Sequence, residues 1–115
     1  MTTKTPASPV YMVYVCHSVS DRSKLEEYWG SSAPTLKGQP IKLLAAYTPY
    51  EVLEGENVLG VFVGQWPSIK AAKAWYDSPG YKAIRHLRMD NAKYTGVLVE
   101  AGVAPRQERL RNRIR

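Results

Sequence analysis

The chain has 115 residues, enough for one domain, and its 44% apolar and 23% charged residues are ordinary for a soluble globular protein. No apolar stretch approaches the roughly 20 residues of a membrane span, and the N-terminus lacks the apolar middle region of a secretory signal, so we expect a cytoplasmic protein. The net charge of +6 arises mostly from residues 106–115, which hold five arginines and one glutamate, and the nearly balanced remainder gives no reason to expect a nucleic-acid partner.

The first predicted element is a strand that follows a flexible lead-in of residues 1–9. Val10 to His17 is rich in β-branched and aromatic residues, which favour strands. Cys16 is the only cysteine and cannot form an internal disulfide, so we expect a reduced, half-buried thiol. The adjacent His17 points to the opposite face of a strand, which argues against a cysteine-histidine dyad.

A helix is predicted to begin at Ser20-Asp21. Ser23 and Glu26, three residues apart, offer a second possible capping pair. An aromatic-rich set of side chains follows helical spacing: Leu25, Tyr28, Trp29, Ser32 and Leu36. Gly38 and Pro40 end the pattern.

The remaining elements complete a β-α-β-β-α-β order. The sequence predicts a strand over residues 41–48, a strand over 58–66 ended by Pro67, a helix from Ser68 to Tyr76, a helix from Ser78-Pro79 to about Ala92, and a strand over 94–101. This order predicts an α+β, ferredoxin-like domain over residues 10–101, with an antiparallel sheet and its helices on one face. Residues 102–115 form a basic tail, which is by default a solvated segment.

Both faces of the predicted sheet are apolar. In the first strand Val13 and Val15 belong to one alternation class, and Met12 and Tyr14 belong to the other. Helices cover one face, and an apolar second face is not expected to stand in water. We therefore expect a homodimer that encloses a pocket on the open face of each sheet.

Three stretches resemble the domain-of-unknown-function 1330 family. The first is Trp75-Tyr76 before Ser78-Pro79, with Tyr81 and Leu87-Arg88 downstream. The second is the Val-Leu-Glu-Gly motif of residues 52–55, and the third is Asp21 at the start of the first helix. The resemblance covers residues 10–101 and implies a dimeric α+β barrel. Gly38-Gln39-Pro40 departs from the Gly-Gly pair that is usual in the family, and its proline lacks a backbone donor.

Three residues are candidates for catalysis, each with a structural alternative. His17, at the end of the first strand, can exchange protons near neutral pH, or it can simply bond to backbone or water. Glu54 can abstract a proton at the pocket mouth, or it can accept hydrogen bonds within its turn. Arg88 lies two helical turns after Tyr81, so it can hold a carboxylate or enolate there, or it can form an ion pair with Asp21 or Glu54. His86 is expected to be exposed.

Aromatic side chains are the candidates for substrate binding: Tyr47, Trp66, Trp75, Tyr76 and Tyr81. Each of them alone is equally compatible with a core position. As a set they are more informative, because the whole chain has eight tyrosines and three tryptophans but one phenylalanine. Rings that carry polar groups suit a pocket for a planar, oxygenated molecule.

No strong catalytic motif is present. The sequence lacks a phosphate-binding glycine loop, a nucleophile elbow and a dinucleotide fingerprint, and two histidines with one cysteine make a metal site improbable, so we expect neither cofactor nor metal. By analogy with similar barrels, we expect a cofactor-independent enzyme that uses proton transfer on a small, oxygenated, aromatic or polyketide-like metabolite: an isomerisation, cyclisation, lactonisation or elimination. The alternatives are a cofactor-free monooxygenase and a non-enzymatic ligand-binding or scaffold dimer that docks through its basic tail.

Overall fold

The computed structural model describes residues 8–105, which form a four-stranded antiparallel sheet with helices packed on one face. In chain order the elements are β1 (Val10–Val19), α1 (Arg22–Leu36), β2 (Lys42–Ala46), β3 (Gly60–Trp66), α2 (Ile69–Tyr76), α3 (Pro79–Lys82), α4 (His86–Met89) and β4 (Ala92–Glu100). The strand order is β2-β3-β1-β4, and all three neighbouring pairs are antiparallel. The predicted α+β ferredoxin-like order is confirmed. Most of the predicted lead-in and basic tail lies outside the described residues.

The central strand β1 organises the core through simple alternation. Val10, Met12, Tyr14 and Cys16 are buried, whereas the residues between them are only half-buried. Met12 and Tyr14 pack in one cluster with helix residues such as Leu25, Tyr28, Trp75 and Leu87. The buried alternation class of β1 therefore faces the helices.

Short polar side chains set the helix starts where the sequence predicts them. Asp21 accepts a hydrogen bond from the Lys24 backbone N–H at 3.2 Å, and Ser68 accepts one from the Ala71 N–H at 3.1 Å. Ser78 caps α3, with Pro79 in the first turn, where no backbone donor is needed. The second capping pair considered for α1 is not used, because the helix begins at Arg22.

The long helix predicted from Ser78 to Ala92 is wrong in part. The chain forms two one-turn helices, α3 and α4, and residue 92 already belongs to β4. Between α3 and α4 and within α4, the N–H groups of Ile84, Leu87 and Arg88 bond to carbonyls three residues back, whereas those of Arg85 and Met89 bond four residues back, so the chain is locally wound more tightly than an α-helix. This tighter winding leaves the adjacent residues Leu87 and Arg88 both buried.

The open face of the sheet is apolar and has no cover among residues 8–105. The registers place Val13 between Val63 of β3 and Val97 of β4. Val97 and Val99 are each 48% exposed, although both lie within a strand. This is the surface that the sequence predicts a second subunit to cover. No helix among residues 8–105 is long and apolar enough to cross a membrane.

Candidate functional site

Two cavities formed by residues 8–105 lie between the sheet and the helices. A cleft of about 520 Å³ separates β4 from α2 and α4, and its lining includes Met12, Tyr14, Lys73, Tyr76, Asp77, Arg88, Met89, Gly96 and Leu98. A second cavity of about 210 Å³ lies under α1, against β2 and β3. The pocket that the sequence predicts on the open face, enclosed by a second subunit, stays a prediction. Alternation alone could not show that the helices leave space above the sheet.

Arg88 is the most unusual residue of the cleft. Its side chain is buried, with 6% exposure, and its guanidinium carbon lies over the rings of Tyr14, Tyr94 and Tyr28 at 4.9, 5.2 and 5.6 Å. One terminal nitrogen donates to the Tyr81 hydroxyl at 3.5 Å, and Nε has no hydrogen-bond partner. The predicted alignment of Tyr81 and Arg88 is thus observed.

Arg88 has no carboxylate partner among residues 8–105. The ion pairs of this range join Arg22 to Glu26, Lys24 to Glu27, and Arg85 to Asp77. The ion pair with Asp21 or Glu54 that the sequence left open is not formed, because Asp21 caps α1 and Glu54 lies in an exposed turn. A buried cation therefore faces the cleft with only aromatic rings and a hydroxyl around it.

The protonation states around Arg88 follow from burial. Burial by itself lowers the pKa of the Arg88 guanidinium, but the hydroxyls of Tyr81 and Tyr28 outweigh it and hold the pKa above its usual range. Burial also raises the pKa of Tyr14, Tyr28 and Tyr94. At neutral pH the site therefore consists of a charged guanidinium surrounded by neutral phenols.

Tyr14 forms the floor of the cleft, and Gly96 makes room for it. A Cβ atom on Gly96 would lie 2.7 Å from Cε1 of Tyr14, so only glycine lets this ring lie against the β4 backbone. The Tyr14 hydroxyl is buried beside Tyr81 without a complete hydrogen bond, whereas Tyr28 and Tyr81 pair their hydroxyls at 2.7 Å. The Tyr14 hydroxyl is therefore buried next to Tyr81, with the Arg88 guanidinium over the Tyr14 ring.

The five aromatic candidates have different positions. Tyr76 lines the cleft, and Tyr81 contacts Arg88 behind it. Tyr47 and Trp75 line the second cavity. Trp66 is fully buried in the core and packs on Trp75 with ring centroids 5.8 Å apart, so it touches neither cavity.

His17 and Glu54 do not reach the cleft. The ring nitrogens of His17 lie 3.1 Å from the Asn57 carbonyl oxygen and 3.0 Å from the Thr95 hydroxyl, so both are engaged at the end of β1. Glu54 precedes Gly55, whose positive φ of 103° makes the exposed turn between β2 and β3. These two residues and Arg88 are therefore not brought together. His86 is exposed, as expected.

Sequence reasoning missed four residues around the guanidinium and the cleft mouth: Tyr14, Tyr28, Tyr94 and Asp77. The three tyrosines come from β1, α1 and β4, so no local spacing links them. The one available signal was Gly96 in the last strand, since a strand glycine often marks a close approach.

The described residues offer no obvious metal site. Among residues 8–105 no three histidine, cysteine, aspartate or glutamate side chains cluster. Cys16 is buried, and burial raises the pKa of its thiol, so it behaves as a core residue and not as a reactive thiolate.

Solved structures of similar fold include proteins of unknown and of assigned function. RPA0582, a Rhodopseudomonas palustris protein of unknown function, is 16% identical with a TM-score of 0.70, and the match covers 85% of each chain. SnoaB, a cofactor-independent oxygenase from Streptomyces nogalater, is 16% identical with a TM-score of 0.61 over 85% of this chain and 97% of its own. A dimeric Bacteroides fragilis protein of unknown function with a ferredoxin-like fold is 12% identical with a TM-score of 0.53, over 84% of this chain and 100% of its own.

These likenesses show the fold and nothing finer, because the identities are low. No curated protein matches the sequence. The family model described as Domain of unknown function (DUF1330) matches residues 9–102, which is nearly the whole of the predicted domain. The chain belongs to the DUF1330 family.

Proposed function

We propose that this protein is a cofactor-independent enzyme for a small, planar, oxygenated molecule, which Arg88 holds as an anion in the cleft between β4 and the helices. The observation that carries the proposal is the buried Arg88 guanidinium, which has no carboxylate partner among residues 8–105. Desolvating a lone charge costs several kcal/mol, roughly, and an anionic ligand would offset that cost. In this proposal the buried Tyr14 hydroxyl turns from Tyr81 to donate to the same anion.

The chemistry that fits this cleft starts from a substrate with its own acidic proton. Among residues 8–105 the cleft lining contains no histidine, glutamate or cysteine, and its titratable groups besides Arg88 and the tyrosines are Lys73 and Asp77. A phenol or an enol can ionise without a strong base when a guanidinium and a hydroxyl stabilise the resulting oxyanion. In this proposal the substrate proton passes to the Asp77 carboxylate, which also lies 3.7 Å from Arg85, and its return to a different substrate atom gives an isomerisation.

Oxygenation is the second candidate, and the likeness to SnoaB, a cofactor-independent oxygenase, favours it. The same bound anion would supply the electrons that reduce dioxygen. Consumption of dioxygen in proportion to substrate separates this reaction from isomerisation, in which solvent deuterium enters the product and dioxygen is not consumed. A binding protein without turnover would give neither signal.

The proposed active form is a homodimer. Its support is the apolar open face around Val13, Val63 and Val99, together with the dimeric Bacteroides fragilis protein of similar fold. Mutual covering of two such faces would remove these side chains from water.

The anion site is tested by binding of 3-hydroxy-2-naphthoate, a planar fluorescent acid, and of its neutral amide. Wild-type protein should prefer the acid, and Arg88→Met should lose about 10- to 100-fold in affinity for the acid alone, the size of a charge-assisted hydrogen bond. Lys82→Met removes the same charge from an exposed position and should change neither affinity. Equal binding of acid and amide to the wild-type protein would refute the proposed site.

A further inference from the structure

We infer that the natural ligand has two parts, an anionic head in the Arg88 cleft and an apolar tail in the second cavity under α1. The inference rests on the proposed function, since it places the head on Arg88. It goes further by defining the substrate as an amphipathic acid, because the lining of the cleft includes charged side chains and that of the second cavity is mainly apolar and aromatic.

The two cavities share one wall. Met12 and Tyr14 line both of them, the cleft on the β4 side of β1 and the second cavity on the β3 side. A ligand that spans both cavities would therefore displace these two side chains.

The second cavity suits an apolar group. Its lining includes Trp29, Leu36, Leu43, Ala46 and Phe62, and it contains no charged residue.

The polar atoms at its margin are mostly occupied. The Tyr47 and Tyr94 hydroxyls pair at 2.9 Å, and the Trp75 indole donates to Thr35 at 3.0 Å. The Trp29 indole nitrogen lies beside the same pair of hydroxyls without a complete hydrogen bond. A tail that enters this space would be bound by contact with rings and methyl groups.

The proposal requires the two side chains of the shared wall to move. Tyr14 is held by side-chain contacts, with its ring centroid 5.9 Å from that of Phe62, 6.3 Å from that of Tyr94 and 4.9 Å from the Arg88 guanidinium carbon. Met12 is unbranched and adapts to irregular space. A ligand can therefore pass between the cavities without breaking the sheet or a helix.

The test is a series of ω-phenylalkanoates, from benzoate to 8-phenyloctanoate, titrated calorimetrically. Benzoate can reach only the cleft. Once the chain is long enough to reach the second cavity, the dissociation constant should fall about fourfold for each further methylene that becomes buried.

Variants that fill the second cavity locate the tail. Ala46→Phe should leave benzoate binding unchanged and abolish the gain for the longer acids, and Leu43→Trp should do the same if the first variant folds poorly. Ala74→Phe, on the exposed surface of α2 and outside both linings, is the matched control and should keep the gain.

Three results would overturn the inference, and they separate it from the proposed function. A flat affinity across the series, with benzoate bound through Arg88, would leave the proposed function standing and remove the tail site. A gain that persists in both filled variants would place the tail elsewhere. Failure of every acid to bind, benzoate included, would reject the anion site and the bipartite ligand together.

Discussion

Arg88 combines two features that rarely coincide in a stable core. It is buried, and its neighbours are rings and hydroxyls and not carboxylates. Cation–π contacts contribute roughly 0.5–2 kcal/mol each, depending on desolvation. The desolvation of a lone ion costs several kcal/mol, approximately, and offsets much of that gain. A residue kept under these conditions is better explained by function than by stability.

This balance predicts the stability of Arg88→Met. Methionine is also unbranched and fills the same space, so the change removes the buried charge and leaves most of the packing. The free energy of unfolding in urea should stay within about 1 kcal/mol of the wild-type value or rise, because relief of desolvation offsets the lost ring contacts. Lys82→Met, at an exposed site, is the control. A loss of about 3 kcal/mol or more, as when a structural ion pair is broken, would show that Arg88 acts mainly as a core residue.

At the scale of elements, the cleft depends on β4 and on the broken helical segment opposite it. Gly96 lets the Tyr14 ring lie on β4, while the tight turns between α3 and α4 direct Arg88 inward. The space for the floor and the charge of the cleft thus depend on two elements that are close in sequence, whereas the floor residue Tyr14 itself comes from β1.

Gly96→Ala tests the β4 side. Its Cβ would come within 2.7 Å of Tyr14, so the ring must leave its place, and we expect a loss of about 1–3 kcal/mol with weaker binding of 3-hydroxy-2-naphthoate. Gly30→Ala is the control, because a Cβ there meets nothing within 4 Å and lies inside α1. That variant should gain roughly 0.5–1 kcal/mol from helix propensity. If Gly96→Ala matched wild type in stability and binding, Tyr14 would not be the floor of the site.

At the scale of the whole molecule, the two faces of the sheet present different surfaces. The helix-covered face holds both cavities, and the open face presents valine side chains. A ligand site and a dimer interface can therefore coexist on one sheet, because they would use opposite faces of β1.

Val99→Lys tests the interface. Val99 is already 48% exposed, so a lysine there is tolerated in a monomer, but in a dimer it would bury a charge. Sedimentation velocity should show a dimer for wild type, a monomer for Val99→Lys, and a dimer for Ala74→Lys on the exposed surface of α2. A wild-type monomer would contradict the proposed assembly.

The fold could be predicted from the sequence because it depends on local signals. Strand β1 was evident from its composition, and Asp21, Ser68 and Ser78 marked the helix starts. Strand β2 ends earlier than predicted because Tyr47 takes a positive φ of 57°.

The site was harder to predict because it is assembled from distant segments. His17 and Glu54 are candidates because of their side-chain chemistry. Whether either side chain reaches a cavity depends on the tertiary fold, which local spacing does not reveal. Arg88 was identified from its spacing to Tyr81, whereas its lack of a carboxylate partner depends on the positions of all the acidic side chains around it.

The most direct test of the anion site is the Arg88 Nε–H signal in a ¹H–¹⁵N spectrum, assigned by its absence in Arg88→Lys. This group has no hydrogen-bond partner, so an anion bound in the cleft should move its resonance strongly downfield. We predict saturable movement on addition of 3-hydroxy-2-naphthoate and almost none with the neutral amide. An unmoved signal at saturating acid, or an equal movement with the amide, would contradict the assignment of Arg88 as the anion-binding residue.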